Sequence, residues 1–195
     1  MTPLIEEALD LRARYDEEPS HSDHVALLAL KLYDGLQGWH GMEPRSRELL
    51  HAAALLHDIG WSQTPDGKGH HKWSAKLVRG HDWRNLSPSE IELVAQVARY
   101  HRKAIPQADH HEFRALPLAA QKAVLILGGI LRQADALDRT HTGKITDLAV
   151  EIRPEAIWVR VDPDGNWQAE RAMFETKRDM LQVAAHREVR CGEME

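Results

Sequence analysis

The chain has one cysteine, Cys191, among 195 residues, so no internal disulfide can form and a cysteine-built zinc cage is excluded. Such a composition suits a reducing compartment, and a cytoplasmic location is expected. Long apolar runs are missing too. The longest, Ala123–Leu131, is far too short to span a bilayer and contains Gly128 and Gly129. The opening stretch, MTPLIEEALDLRARYDEE, is acidic and helical in pattern, without the basic start and apolar core of a secretory signal. There is no basic surplus either: the formal net charge is -5, so no general positive field favours nonspecific nucleic-acid binding. Neither a membrane nor a nucleic acid is therefore an expected partner. Internal repeats and low-complexity tracts are absent.

What is present is an ordinary globular balance, 43% hydrophobic and 28% charged, in a chain long enough for one domain with a real core. The first two-thirds reads as helices. Apolar spacing marks Leu4–Tyr15, and after the turn EEPSHSD a second helix is carried by Val25, Leu28, Leu32 and Leu36 and stopped by Gly38. Pro44 can start a third, through RSRELLHAAALLHDI to Gly60. The turn formers of QTPDGKGH predict a loop, followed by a short helix over His71–Val78. LSPSEIELVAQVARYH carries the sharpest start signal, with Ser87 as N-cap, Pro88 at the first helical position and Glu90 completing a capping box. A long helix is expected over Leu116–Asp138, with Gly128–Gly129 permitting close helix packing. From Ile145 the pattern changes to alternation, in LAVEIRP and AIWVRVD, with a PDGN turn before WQAERAMF; two or three short strands are expected, followed by a terminal helix over Arg171–His186. The expected architecture is mainly α: a helical bundle over residues 1–144 and, over 145–195, a small β-hairpin appendage with a terminal helix packed on the same domain. An exposed strand edge near Ile157–Val161 offers a surface for a homodimer.

Histidine is the outlier, with 13 in the chain. It is both the commonest metal ligand and the usual acid/base group near neutral pH. His24 opens the second expected helix, and His57 with Asp58 closes the third in the stretch LLHDIGW. His70 and His71 stand at the start of the short helix, His101 ends the capped one, and Asp135 lies in the last long one. A bundle can bring such helix ends around one cavity. A divalent ion that activates water takes imidazole nitrogens and carboxylate oxygens and keeps positions open. Adjacent His57 and Asp58 would point about 100° apart on a regular helix. At a fraying end, Asp58 could instead bind the same ion from the side or bridge to a second.

The ordered series resembles an HD-domain phosphohydrolase, and more specifically the C-terminal HD-type domain of the exopolyphosphatase/guanosine pentaphosphate phosphatase family. The matching pieces are HSDHVALLALKLYDGL, AAALLHDIGW, HHKWSAKLV, EIELVAQVARYHRK and LRQADALDRTH, over roughly Ser20–Lys144. The resemblance implies His24, His57, Asp58 and Asp135 as core metal ligands, with His101 and either His70 or His71 serving a second metal. It also implies an HD fold holding one or two divalent ions, with manganese, iron, nickel, magnesium and zinc undistinguished. Family members carry their exopolyphosphatase site in N-terminal actin-like domains that this sequence lacks, so that activity is not transferred. Some members lose the final aspartate; this chain keeps Asp135.

The function expected is metal-dependent hydrolysis of a small phosphoester or phosphoanhydride, nucleotide-like or polyphosphate-like. Asp58, His101 and Arg102 are the expected catalytic groups, His101 as an acid if it is not a ligand. Arg132 and Arg139 flank Asp135 at helical spacing, and with Lys103 and Lys144 they are the expected phosphate contacts. Lys68 and Lys72 read as solvated charges. Trp61 and Trp73 are candidates for a pocket rim. A non-catalytic, metal-containing regulatory or ligand-sensing module is the rival reading.

Overall fold

The computed structural model of the protein describes residues 1–194. Ten α-helices and a three-stranded sheet are formed among these residues. The helical part runs through α1 (Pro3–Arg12), α2 (Pro19–Gly35), the single turn α3 (Gln37–His40), α4 (Pro44–Leu56), α5 (His70–Gly80), α6 (Pro88–Arg99), the single turn α7 (His111–Arg114) and α8 (Leu118–Ala136). A 3-10 helix over Ile59–Gln63 links α4 to the loop before α5. Then come β1 (Ile145–Ile152), β2 (Ala156–Pro163), α9 (Gln168–Lys177), α10 (Asp179–Ala185) and β3 (Glu188–Glu193). No helix among the described residues is long and apolar enough to cross a membrane.

Local chemistry explains the helix starts. Prolines occupy the first turn of α1, α2, α4 and α6, where a missing N–H costs nothing. Ser87 accepts from the Glu90 amide while the Glu90 carboxylate accepts from the Ser87 amide, the expected capping box. α2 starts earlier than apolar spacing suggested: Pro19 takes the first helical position, so His21 already lies on the helix. α4 ends earlier than expected, at Leu56. Asp58 leaves helical geometry (φ -110°, ψ 2°), and Gly60 turns its amide to Ser74 Oγ at 2.9 Å instead of continuing the helix.

α2, α4 and α8 meet in the core through buried Leu28, Leu32, Leu50, Leu127 and Leu131. A Cβ on Gly129 would lie 3.0 Å from the Leu181 backbone, so the glycine pair does permit α10 to approach α8 closely. β1 and β2 form the expected antiparallel pair, which β3 extends in parallel with β2 after the α9–α10 crossover. A strand following the terminal helix was not anticipated, and β3 corrects the expected dimer surface. Ile157–Val161 is not an edge, because β2 is bonded on both sides. The expected terminal helix is two helices, broken at Arg178. On β3, burial pushes the Cys191 thiol up to about 12, with Glu175 adding to the effect, which leaves it an inert core group.

Candidate functional site

Two groups of donors converge at the end of the helical bundle. His21, His57 and Asp135 form one; Asp58, His70 and His101 form the other, with the donor atoms of each group within 4.8 Å of one another. They come from the first turn of α2, the end of α4, the start of α5, the end of α6 and the last turn of α8. Asp58 joins the groups. Its Oδ2 lies 3.6 Å from His57 Nε2 and 3.9 Å from His21 Nε2, while Oδ1 lies 3.2 Å from His70 Nε2 and 3.4 Å from His101 Nε2.

Every histidine of the two groups is oriented by its other nitrogen. The Nδ1 atoms of His57, His70 and His101 lie 2.7, 2.9 and 2.6 Å from the carbonyls of Ala54, Gly67 and Ala98, and so must donate to them. His21 Nδ1 contacts Asp138 Oδ2 at 2.7 Å. This arrangement turns all four Nε2 atoms toward the two carboxylates. Three of these sequences share a local device, a histidine folding back on the carbonyl three residues before it at a helix terminus.

The site is short of internal partners. His21 Nε2, His57 Nε2 and Asp58 Oδ1 are buried with no hydrogen bond. His70 and His101 face each other Nε2 to Nε2 at 3.4 Å, with both Nδ1 protons committed to carbonyls. Two imidazole lone pairs at that separation repel unless a cation lies between them, and a mixed nitrogen and oxygen set of this kind suits a divalent metal.

The electrostatics follow from burial and these contacts. Burial opposes charge on His21, but Asp135 and Asp138 outweigh it and push the ring up to about 10. Burial alone would lift the Asp58 carboxyl, yet the neighbouring His57 ring holds it below the ordinary carboxylate range. Burial likewise acts against Asp135, and Lys177 and His21 prevail and hold it well below its usual value. His101 is pushed well below the usual imidazole value by burial, so it is neutral.

Not every expected residue is in these groups. His24 belongs to neither; its Nε2 is buried without a partner, and His21, one helical turn earlier, stands where His24 was expected. Of the pair left open, His70 joins Asp58 and His101, whereas His71 lines a separate hollow. Burial, with His70 and Arg102 adding positive surroundings, pushes His71 down to about 4.

A cleft of about 600 Å³ opens over Asp58, His70, His101 and Asp135, with Arg102, Lys103, Arg132 and Arg139 in its wall. Arg102 Nη1 lies 3.1 Å from His70 Nε2. The Arg132 guanidinium is already committed: it donates to the carbonyls of Tyr100 and Lys103 at 3.2 and 2.9 Å and pairs with Asp179 at 3.1 Å, bracing the loop after His101. Lys144 does not line the cleft. Trp61, 46% exposed, stacks on His70 at the rim, while Trp73 instead takes the Lys76 ammonium over its ring. Sequence reasoning missed Lys177, which pairs with Asp135; His141, a phosphate-binding candidate in the sequence, stacks on His21 at 3.7 Å with its Nδ1 held by Glu18. The sequence did place His141 beside a ligand position; Lys177 has no signal short of the tertiary fold.

Among curated proteins, a guanosine-5'-triphosphate,3'-diphosphate pyrophosphatase of Vibrio cholerae serotype O1 is 28% identical over 184 residues, which are 93% of this chain and 35% of that protein. A protein of the same name from Photobacterium profundum is 27% identical over 117 residues, 60% of this chain and 22% of its own. The chain thus spans about a third of the length of the first of these relatives. The family model described as Ppx/GppA phosphatase, domain III, matches residues 6–182, most of the chain and every donor of the two groups. The chain belongs to that family.

Proposed function

We propose that the protein is an HD-type, metal-dependent phosphohydrolase acting on a phosphoester or phosphoanhydride of a nucleotide or polyphosphate-like substrate. The observation that carries this reading is the Asp58 carboxylate, which faces two imidazole groups with opposite oxygens while its buried Oδ1 lacks a hydrogen-bond partner. His21, His57 and Asp135 would hold one ion, and His70 and His101 a second, with Asp58 between them. Divalent ions bound there supply Lewis acidity, which lowers the pKa of water and offsets charge on phosphate oxygens. The relatives' name, a pyrophosphatase of guanosine 5'-triphosphate 3'-diphosphate, supports a phosphoanhydride substrate.

The chain's own residues then divide the work. Arg102, Lys103 and Arg139 line the cleft and can take phosphate oxygens. Arg132 positions the Tyr100–Lys103 segment instead of contacting substrate, since its donors are already used. His101 acts as a ligand, not an acid, because burial keeps it neutral with its Nε2 turned inward. His141, with Nδ1 engaged by Glu18, keeps Nε2 for a proton at a leaving oxygen.

The test is metal analysis of the purified protein after loading with manganese, iron, nickel, magnesium or zinc, followed by a phosphatase and phosphodiesterase panel that includes guanosine 5'-triphosphate 3'-diphosphate. Asp58→Ala is expected to lose turnover by about 10³-fold or more and most bound metal, with an unchanged helical circular-dichroism spectrum. No metal and no turnover in the wild type would overturn the reading. Metal with saturable ligand binding and no turnover would identify a sensing module.

A further inference from the structure

Beside the cleft lies a second hollow of about 380 Å³ whose charged lining is all of one sign. Lys72, Arg102 and Lys103 supply the charge with Arg99, which also pairs with Glu112 at 3.2 Å; the His71 and His110 rings complete the wall, and no carboxylate lines it. It sits at the N-terminal end of α5, an 11-residue helix preceded by Gly69 (φ 82°), which offers no side-chain cap. The Lys72 and Trp73 amides bond the Gly69 carbonyl, whereas the His70 and His71 amides have no backbone acceptor at the positive end of the helix dipole. An independent observation points to a ligand. His71 is 7% exposed and lines the hollow, and its buried Nδ1 has no hydrogen-bond partner. A buried polar group left unpaired is costly, and the neutral His71 ring can carry its proton on Nδ1 and donate it to an acceptor from outside the chain.

The hollow adjoins the cleft, and Arg102 and Lys103 line both. The His71 ring lies 5.9 Å from that of His70 and 6.3 Å from that of His101. On another side of Asp58 the space is lined by Asp16, Glu17 and Glu18 as well as Arg139 and His141, so acidic groups there oppose an anion that basic groups attract. Toward α5 the lining carries no carboxylate, which favours that direction for an extended polyanion with one phosphate at the His/Asp centre.

We infer that this hollow is a second anion subsite, binding a further phosphoryl group of a phosphate chain whose first group lies at the His/Asp centre. The location of that first group rests on the phosphohydrolase reading; anion binding in the hollow does not. The chain could be inorganic or belong to a nucleotide, and both present the same oxygens to guanidinium, ammonium and backbone donors.

Calorimetric titration of the manganese-loaded protein with inorganic phosphate, tripolyphosphate and guanosine triphosphate tests this. His71→Gln with Lys72→Glu is expected to weaken tripolyphosphate roughly tenfold, phosphate less than about twofold, and to leave manganese content unchanged. Lys72→Glu alone, a surface change, gives the same direction should the double variant fold poorly. Equal loss for tripolyphosphate and guanosine triphosphate identifies the phosphate chain itself as the ligand, and loss for tripolyphosphate only identifies the inorganic source. Unchanged tripolyphosphate affinity overturns the inference, as does loss confined to the nucleotide or a parallel loss of manganese. Because the readout is binding, a protein that hydrolyses nothing can still pass. One that turns over substrate but binds tripolyphosphate normally as Lys72→Glu fails this inference alone.

Discussion

Lys177, at the end of α9, pairs with Asp135 in the last turn of α8, so the C-terminal segment places a cation on the carboxylate that His21 and His57 also face. The two carboxylate oxygens are divided, Oδ2 to Lys177 and Oδ1 toward the imidazoles. A metal ion and the ammonium therefore compete for one negative charge. Lys177→Met is expected to tighten manganese binding roughly tenfold and to cost the metal-free protein about 1–3 kcal/mol, since the pair is largely but not wholly buried. Competition against a fluorescent metal indicator and melting in the presence of chelator measure the two effects. Weaker manganese binding would show instead that Lys177 orients Asp135 for the ion.

Gly60 lets the turn after His57–Asp58 touch the start of α5. A Cβ there would lie 2.1 Å from the His70 carbonyl oxygen and 2.5 Å from the Ser74 amide, both backbone atoms that cannot yield without moving the helix. Gly60→Ala is expected to destabilise the protein by about 3 kcal/mol and to weaken metal binding by displacing His70 from Asp58. Gly38→Ala, with nothing within 4 Å, is the control and should leave both unchanged or raise stability slightly. Urea midpoints compare the two variants, and equal midpoints would refute the steric account.

What could be read from the sequence is what local physics decides. The helical body, the capping box at Ser87 and Glu90 and the β1–β2 pair follow from periodicity and turn chemistry. His57, Asp58, His101 and Asp135 were legible as ligand types at helix ends. The choice between His21 and His24 was not, because the two lie three residues apart on one helix, and only the packing of α2 against α8 selects between them. His70 and His71 differ by about 100° around α5, and the contact of Gly60 with that helix sets which one faces Asp58. β3 and Lys177 depend on a crossover that returns the chain to β2 and α8, and residues 168–193 carry no motif announcing it.

The assignment of His21 has its own test. His21→Ala is expected to remove the ion held with His57 and Asp135, whereas His24→Ala should keep metal content within about twofold. The proton matters as well. With its value raised to about 10 by Asp135 and Asp138 against burial, His21 is charged in the metal-free protein at neutral pH, so an ion must displace one proton to bind. Affinity should then rise about tenfold per pH unit between pH 6 and 8 from this residue alone. Titration in buffers of different ionisation enthalpy counts the released proton. Release that is unchanged in His21→Ala would place the proton on another group.

Acid stability is governed in part far from the cleft, at the capping box. The Arg45 guanidinium bonds the Glu90 carboxylate at 2.7 Å, and against partial burial this contact and the Ser87 amide bring Glu90 down to about 2. A carboxylate with a lowered value in the folded state contributes stability that is fully present above its unfolded value and is lost as pH falls through the folded one. The contribution of Glu90 is thus intact above about pH 4.5 and gone near pH 2. Glu90→Gln can still accept from the Ser87 amide but loses the charge facing Arg45, and partial exposure screens what is lost. The variant should be less stable than wild type by about 0.5–1 kcal/mol at pH 7, and the difference should shrink to nothing as the pH approaches 2. Urea unfolding at pH 7, 4 and 2.5 measures it; a difference that stays constant across that range would mean the cap acts through its hydrogen bonds alone, without the Arg45 charge.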